Sequence, residues 1–167
     1  MPSTTLQSLF GQKSWANNEL FNALATVNTE QHGAAVQTAT RTLNHIYVVD
    51  RIFQAHLLGA QHGYTATNTE ATPDLAHLQF AVAETDAWFE NYAAAIAVDS
   101  LNDKVSFRFT DGDTGSMTRE EILLHVVMHG SYHRGNVGQV LKSIAMVPPR
   151  DLLTKFLHLS EPARRQA

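Results

Sequence analysis

Four long stretches of this chain repeat their apolar residues every three or four positions. That period commits each stretch to a helix with one buried face. The first runs from about Thr5 to Thr26, with Leu6, Leu9, Phe10, Leu20, Leu24 and Val27 as its stripe. Gly11 and the polar run NNE interrupt it only slightly. The second runs from about His32 to Leu58 and repeats Leu43, Ile46, Val49, Ile52, Phe53 and Leu57. Pro73 and Asp74 suit the first turn of the third. It runs to about Val98 on Leu75, Leu78, Val82, Thr85, Trp88, Phe89, Tyr92 and Ile96. The fourth follows Thr118, a candidate N-cap, with Glu121 completing a capping box three residues later. Pro148 and Pro149 cannot continue that helix and are expected to end it.

The segments between these helices use a different chemistry. GAQHGYTATNTEATP reads as a loop. KVSFRFT alternates, with Val105, Phe107 and Phe109 on one side, and DGDTG after it is turn chemistry. A small β-hairpin or extended flap is expected there. DLLTKFLHL predicts a short terminal helix packed back across the others, and SEPARRQA a loose tail. The pattern predicts an all-α protein, an antiparallel four-helix bundle with the flap in the crossover between helices three and four. The 167 residues suit one domain, 1–167, with a core large enough to stand alone.

Composition removes several classes of function. The chain has no cysteine, so it has no disulfide, no thiolate zinc site and no cysteine nucleophile. A formal charge of -4 and the lack of any basic run disfavour a nucleic-acid backbone as partner. No apolar run approaches the roughly 20 residues that cross a bilayer, and the first residues lack the pattern of a signal peptide. The expectation is a soluble cytoplasmic protein that binds neither membrane nor nucleic acid.

The chemistry concentrates in LLHVVMHGSYHRGNVGQVL, residues 123–141. His129 and His133 lie four apart on the inward stripe set by Ile122, Val126, Val137, Val140 and Ile144. Two imidazoles so spaced are offset by about 40° and about 6 Å, and can meet at one metal ion. His125 lies one turn earlier, at the edge of the stripe. A catalytic metal usually takes a third protein ligand. The second helix offers His45 and His56, about 16 Å apart along its axis, so only one of them can join a given site. Spacing does not choose between them. His32, His62, His77 and His158 read as loop, terminal or surface residues.

Neighbouring residues add to this picture. Gly130, Gly135 and Gly138 each cost on the order of 1 kcal/mol against alanine in a helix, which predicts close packing or a ligand beside the fourth helix. Tyr47, Asp50, Arg51, Tyr132 and Arg134 are polar residues close to the histidines in sequence. Arg134 is a candidate to orient an anionic substrate, or to pair with Asp50 between the helices. His125 is a candidate for a pocket wall or for support of a ligand.

NHIYVVDRIFQAHL (44–57), the helix-four histidine segment, the strand-bearing VSFRFTDGDTGSMTREEILLHVVMH and the ending PPRDLLTKFL together resemble the DinB family. Its members are metal-binding four-helix bundles that include the YfiT-like proteins and are unrelated to the DNA polymerase of that name. The resemblance covers nearly the whole chain. It implies a divalent metal held by His45, His129 and His133, in preference to His56 and His125. Asn136 stands where glutamine usually follows HRG, which touches packing and not a ligand. Zinc or nickel is the expected metal, with iron or manganese as alternatives.

The resemblance also frames the expected function. Some relatives are transferases or isomerases that use low-molecular-weight thiols, and a few are described as hydrolases. The expectation is a metal-dependent thiol transferase acting on a small electrophile. A metal-dependent hydrolase, or a non-catalytic metal-binding module of the stress response, is the alternative. A homodimer is expected from the resemblance alone.

Overall fold

The structure is a computed structural model and describes residues 4–164. It is mostly helical. Five α-helices, α1 (Thr4–Ala25), α2 (Thr29–Leu58), α3 (Leu75–Ala95), α4 (Arg119–Ser143) and α5 (Leu153–Ser160), accompany two strands, β1 (Lys104–Arg108) and β2 (Thr114–Thr118). Among the described residues, no helix is long and apolar enough to cross a membrane. Single 3-10 turns occupy Val98–Asn102 and Pro162–Arg164. The end of the expected tail, residues 165–167, lies outside the described residues.

The main contacts between the long helices are α2 with α4, α1 with α3, α1 with α4, and α2 with α3. The strands form the expected antiparallel hairpin, with Phe107 opposite Gly115 in its register. A β-carbon on Gly115 would lie 2.7–2.8 Å from the rings of Phe109 and Phe107, so the hairpin needs glycine there. The helix α5 lies on α1, where the Phe156 ring comes within 3.0 Å of where a β-carbon on Gly11 would be. Gly11 is thus a docking point, not an interruption of its helix.

Side-chain caps explain where α2, α3 and α4 begin. Asn28 caps α2 and Asp74 caps α3, each accepting from two backbone amides. Thr118 and Glu121 form the full capping box of α4. Three boundaries differ from expectation. The second helix begins at Thr29, and the kinked backbone of His32 (φ -127°, ψ 26°) lies inside it. The third ends at Ala95, because Ile96 turns extended (φ -64°, ψ 129°). The fourth ends at Ser143, before the prolines, where Ala145 takes a left-handed φ of 61°.

The interior divides in two. One apolar cluster gathers Leu6, Phe10, Phe53, Phe89, Phe107 and Val126; the other gathers Leu20, Phe21, Leu43, Ile46, Val82 and Val137. On every long helix a buried polar residue falls between the two. Lys13 lies between Phe10 and Leu20, Asp50 beside Ile46 and Phe53, Asp86 between Val82 and Phe89, and Arg134 between Val127 and Val137. The chain therefore has a polar waist at mid-helix height, and the histidines stand at the same level.

Candidate metal centre

His45 on α2 and His129 and His133 on α4 meet at the waist, where these two helices contact each other. One ring nitrogen from each lies within 4.8 Å of the others. The Nε2 atoms of His45 and His129 are 3.0 Å apart. Ring centroids are separated by 4.8 Å for His45 and His129, 4.6 Å for His45 and His133, and 4.5 Å for His129 and His133. All three rings are half-buried. The four-residue spacing on α4 turns two imidazoles toward α2, as the sequence geometry requires.

Hydrogen bonding assigns the tautomer of one ring. His45 Nδ1 lies 2.6 Å from the carbonyl oxygen of Thr67, in the loop between α2 and α3. A carbonyl only accepts, so Nδ1 donates. In the neutral ring Nε2 then carries the lone pair, and Nε2 is the atom that faces His129.

Electrostatics keep the α4 imidazoles neutral. Burial, followed by the neighbouring His133, His45, His125 and Lys13, lowers His129 to about 3. Burial and then His45 lower His133 below its ordinary value of 6.5. Neutral imidazole is the ligand form. Two nitrogens on one tetrahedral zinc lie about 3.3 Å apart at bond lengths of 2.0–2.1 Å. The 3.0 Å separation of His45 and His129 is within a few tenths of an ångström of that. The donor set fits a divalent cation held by three imidazoles.

The remaining histidines go elsewhere. His125 stacks along His129 at 5.6 Å but rests against Phe53 at 4.8 Å, and burial lowers its pKa. His56 stacks on Phe107 at 4.7 Å and meets His62 edge-on at 5.2 Å. Burial, then His62, lowers its pKa too. His125, Phe53, His56 and Phe107 form a run of rings from the cluster toward the hairpin. His62 has a buried Nδ1 with no hydrogen-bond partner among the described residues, so it is less of a plain surface residue than its loop suggests.

The anticipated Asp50–Arg134 pair does not form. Asp50 instead takes the Lys13 ammonium at 2.7 Å, and Asp86 takes the same ammonium at 2.5 Å. Asn17 donates to the other oxygen of Asp86 at 2.7 Å. Arg134 turns to Asp151 at 2.7 Å and to Asn17 at 3.2 Å, and Gln12 also donates to Asp151. The reason is steric as well as electrostatic. Gly130 has no side chain, and a β-carbon there would sit 3.0 Å from Arg134 Nη1 and 3.6 Å from Lys13 Cε. At 3% exposure Arg134 is an interior strut and does not reach a substrate. Burial pushes Asp50 up to about 6 against the pull of Lys13. Burial also opposes the Lys13 charge, but the two carboxylates outweigh it and hold Lys13 above its ordinary value. One ammonium thus serves two buried carboxylates.

Sequence reasoning missed Lys13, Asn17, Asp86 and the loop that carries Thr67. Lys13 and Asn17 had a signal: with Phe10 and Leu20 they continue the apolar spacing of α1. Nothing local marked Thr67, because its carbonyl belongs to the backbone.

Comparison with known proteins agrees with the early resemblance. A family model described as the DinB family matches residues 1–164. Protein DinB of Bacillus subtilis (strain 168) is 24% identical over 147 residues, which cover 80% of this chain and 83% of that protein. A family model spanning nearly the whole chain settles its kinship: the chain belongs to the DinB family.

Proposed function

We propose that His45, His129 and His133 hold a divalent metal ion and that the protein is a metal-dependent transferase using a low-molecular-weight thiol on a small electrophile. The observation that carries the reading is the convergence of three imidazole nitrogens within 4.8 Å, one of them with its lone pair assigned. A bound divalent cation supplies Lewis acidity, which lowers the pKa of a thiol or water held at an open position. The chain's own part is to keep three imidazoles neutral, aim them at one point and exclude water on the interior side. In the proposed reaction a carbon–sulfur bond forms, the bond to the leaving group breaks with its electron pair, and the thiol proton passes to solvent.

One feature fixes the source of the thiol, and a second favours thiol transfer over hydrolysis. The chain has no cysteine, so any thiol arrives as a cosubstrate. Among the described residues no carboxylate joins the histidine group as a general base, and Asp50, buried away from it, meets Lys13 through Oδ2. Zinc and nickel suit three imidazoles, and iron or manganese are the further candidates. The same reading takes α1–α4 as an antiparallel four-helix bundle and 1–167 as one cytoplasmic domain. It also takes the chain as a homodimer, supported by exposed Leu124, Met128 and Tyr132 at four-residue spacing on α4.

The test is metal analysis of protein purified without chelators or a histidine tag, followed by parallel screens of thiol transfer and ester hydrolysis. Stoichiometric metal and thiol turnover that is lost in His129→Ala are expected. Ester turnover without thiol dependence would favour the hydrolase. Bound metal with neither activity would favour a non-catalytic metal-binding module.

A further inference from the structure

Arg41, Asn44 and His45 share one face of α2, and all three reach the same stretch of loop. Asn44 is 2% exposed. Its Nδ2 donates to Asn68 Oδ1 at 2.5 Å and to Thr69 Oγ1 at 2.6 Å. Asn68 Oδ1 also accepts from its neighbour's amide, Thr69 N, at 3.0 Å, and Asn68 Nδ2 donates to the Arg41 carbonyl at 3.1 Å. Thr69 Oγ1 donates to the Ala71 carbonyl at 2.7 Å. Arg41 Nη1 donates outward to the Thr69 carbonyl at 3.2 Å. The stretch from Thr67 to Thr72 is thereby strapped to α2 by side chains at both ends of one helical turn. Its first carbonyl, that of Thr67, receives His45 Nδ1.

This is more bonding than a surface loop needs. Two asparagines and a threonine satisfy one another while fixing a backbone oxygen against a ring nitrogen. Free imidazole has two neutral tautomers, and only the one protonated at Nδ1 leaves Nε2 able to accept or ligate. A partner on the far nitrogen is the usual means of selecting that tautomer and of fixing ring orientation.

We infer that Asn44, Asn68 and Thr69 are positioning residues for the metal centre: they hold the Thr67 carbonyl on His45 Nδ1 and so keep its Nε2 lone pair turned toward His129 and His133. The inference rests on the reading of these histidines as metal ligands. Asn44 acts through the loop, the loop through one carbonyl, and the carbonyl through the tautomer.

The test reads the tautomer and the metal separately. Protein labelled with 15N-histidine is studied metal-free at pH 8 by long-range proton–nitrogen correlation, and zinc affinity is measured by calorimetric titration. Wild-type His45 should carry its proton on Nδ1. Asn44→Ala and Asn68→Ala should turn His45 into a mixture of tautomers and weaken zinc binding tenfold or more. Asn68→Asp keeps the oxygen that accepts from Asn44 and from Thr69 N but loses the Nδ2 bond to the Arg41 carbonyl, so its tautomer and affinity should fall between those of wild type and Asn68→Ala. If Asn44→Ala fails to fold, the Asn68 pair carries the test alone. Wild-type protein that binds no zinc would remove the metal reading only, and a tautomer change in Asn68→Ala would still support the hold of the loop on His45. A wild-type His45 protonated at Nε2 would overturn the inference. So would an Asn68→Ala variant whose tautomer, or whose zinc affinity in a zinc-binding wild type, is unchanged.

Discussion

Lys13 has no exposed surface, yet its charge is held above the ordinary value because Asp50 and Asp86 lie at 2.7 and 2.5 Å. These residues come from α1, α2 and α3, and Arg134 of α4 packs beside them across Gly130. Removing one member of a buried charge group leaves the others uncompensated, which costs about 3–5 kcal/mol. Lys13→Met should therefore lose stability of that order at pH 7.5, measured by urea unfolding. The pH dependence follows from Asp50. Its folded pKa, about 6, lies above its ordinary 3.8, so the fold binds this proton more tightly than the unfolded chain does. The cost of its charge is present above pH 6 and disappears as pH falls toward 3.8. The gap between Lys13→Met and wild type should narrow at pH 5. An equal gap at both pH values would contradict the assignment. The spacing Phe10, Lys13, Asn17, Leu20 was readable in the sequence as one face of α1. The expected Asp50–Arg134 pair was not met because the partner of Asp50 is Lys13 on a third helix, at a distance in sequence that no local pattern reports.

At the scale of elements, periodicity and capping chemistry located all four long helices, and alternation located the hairpin. The Thr118–Glu121 box placed the start of α4 to the residue. Boundaries failed where the backbone departs from its ideal without a marked residue, as at His32, Ile96 and Ala145. The α2–α3 loop read as featureless polar sequence, and its order comes from cross-bonding between Asn44, Asn68 and Thr69 that emerges only when loop and helix meet. The hairpin makes a clear prediction. Phe107 sits 5.7 Å from Phe53 and 4.7 Å from His56, and Gly115 lies across the hairpin from it. Gly115→Val should push the Phe107 ring off both neighbours and cost about 1–3 kcal/mol through overpacking. Thermal unfolding, together with ring-current shifts of the His56 protons, checks both parts. Wild-type stability with unmoved His56 resonances would contradict the packing described.

For the molecule as a whole, the proposed metal couples to folding through protons. His129 and His133 have folded pKa values below the ordinary 6.5, so the fold favours their neutral forms. Their contribution to stability is fully present above about pH 6.5 and is lost as pH falls below it. Protons and metal compete for the same nitrogens. The rise in Tm on adding subsaturating zinc should be larger at pH 7.5 than at pH 5. The metal-free chain should still be helical, because both apolar clusters persist without the ion. Equal shifts at both pH values would argue against ligation by histidine alone. The family and the pair on α4 were legible in the sequence. The resemblance favoured His45 over His56, and in the fold His45 joins the α4 pair while His56 is turned to Phe107 and His62.

The central claim is that His45, His129 and His133 bind one metal ion together. X-ray absorption at the zinc edge, on protein loaded with one equivalent, tests it most directly. Three imidazoles should appear at about 2.0–2.1 Å beside one lighter ligand, and His45→Ala should reduce the imidazole count to two. A first shell without imidazole, or an unchanged imidazole count in His45→Ala, would contradict it.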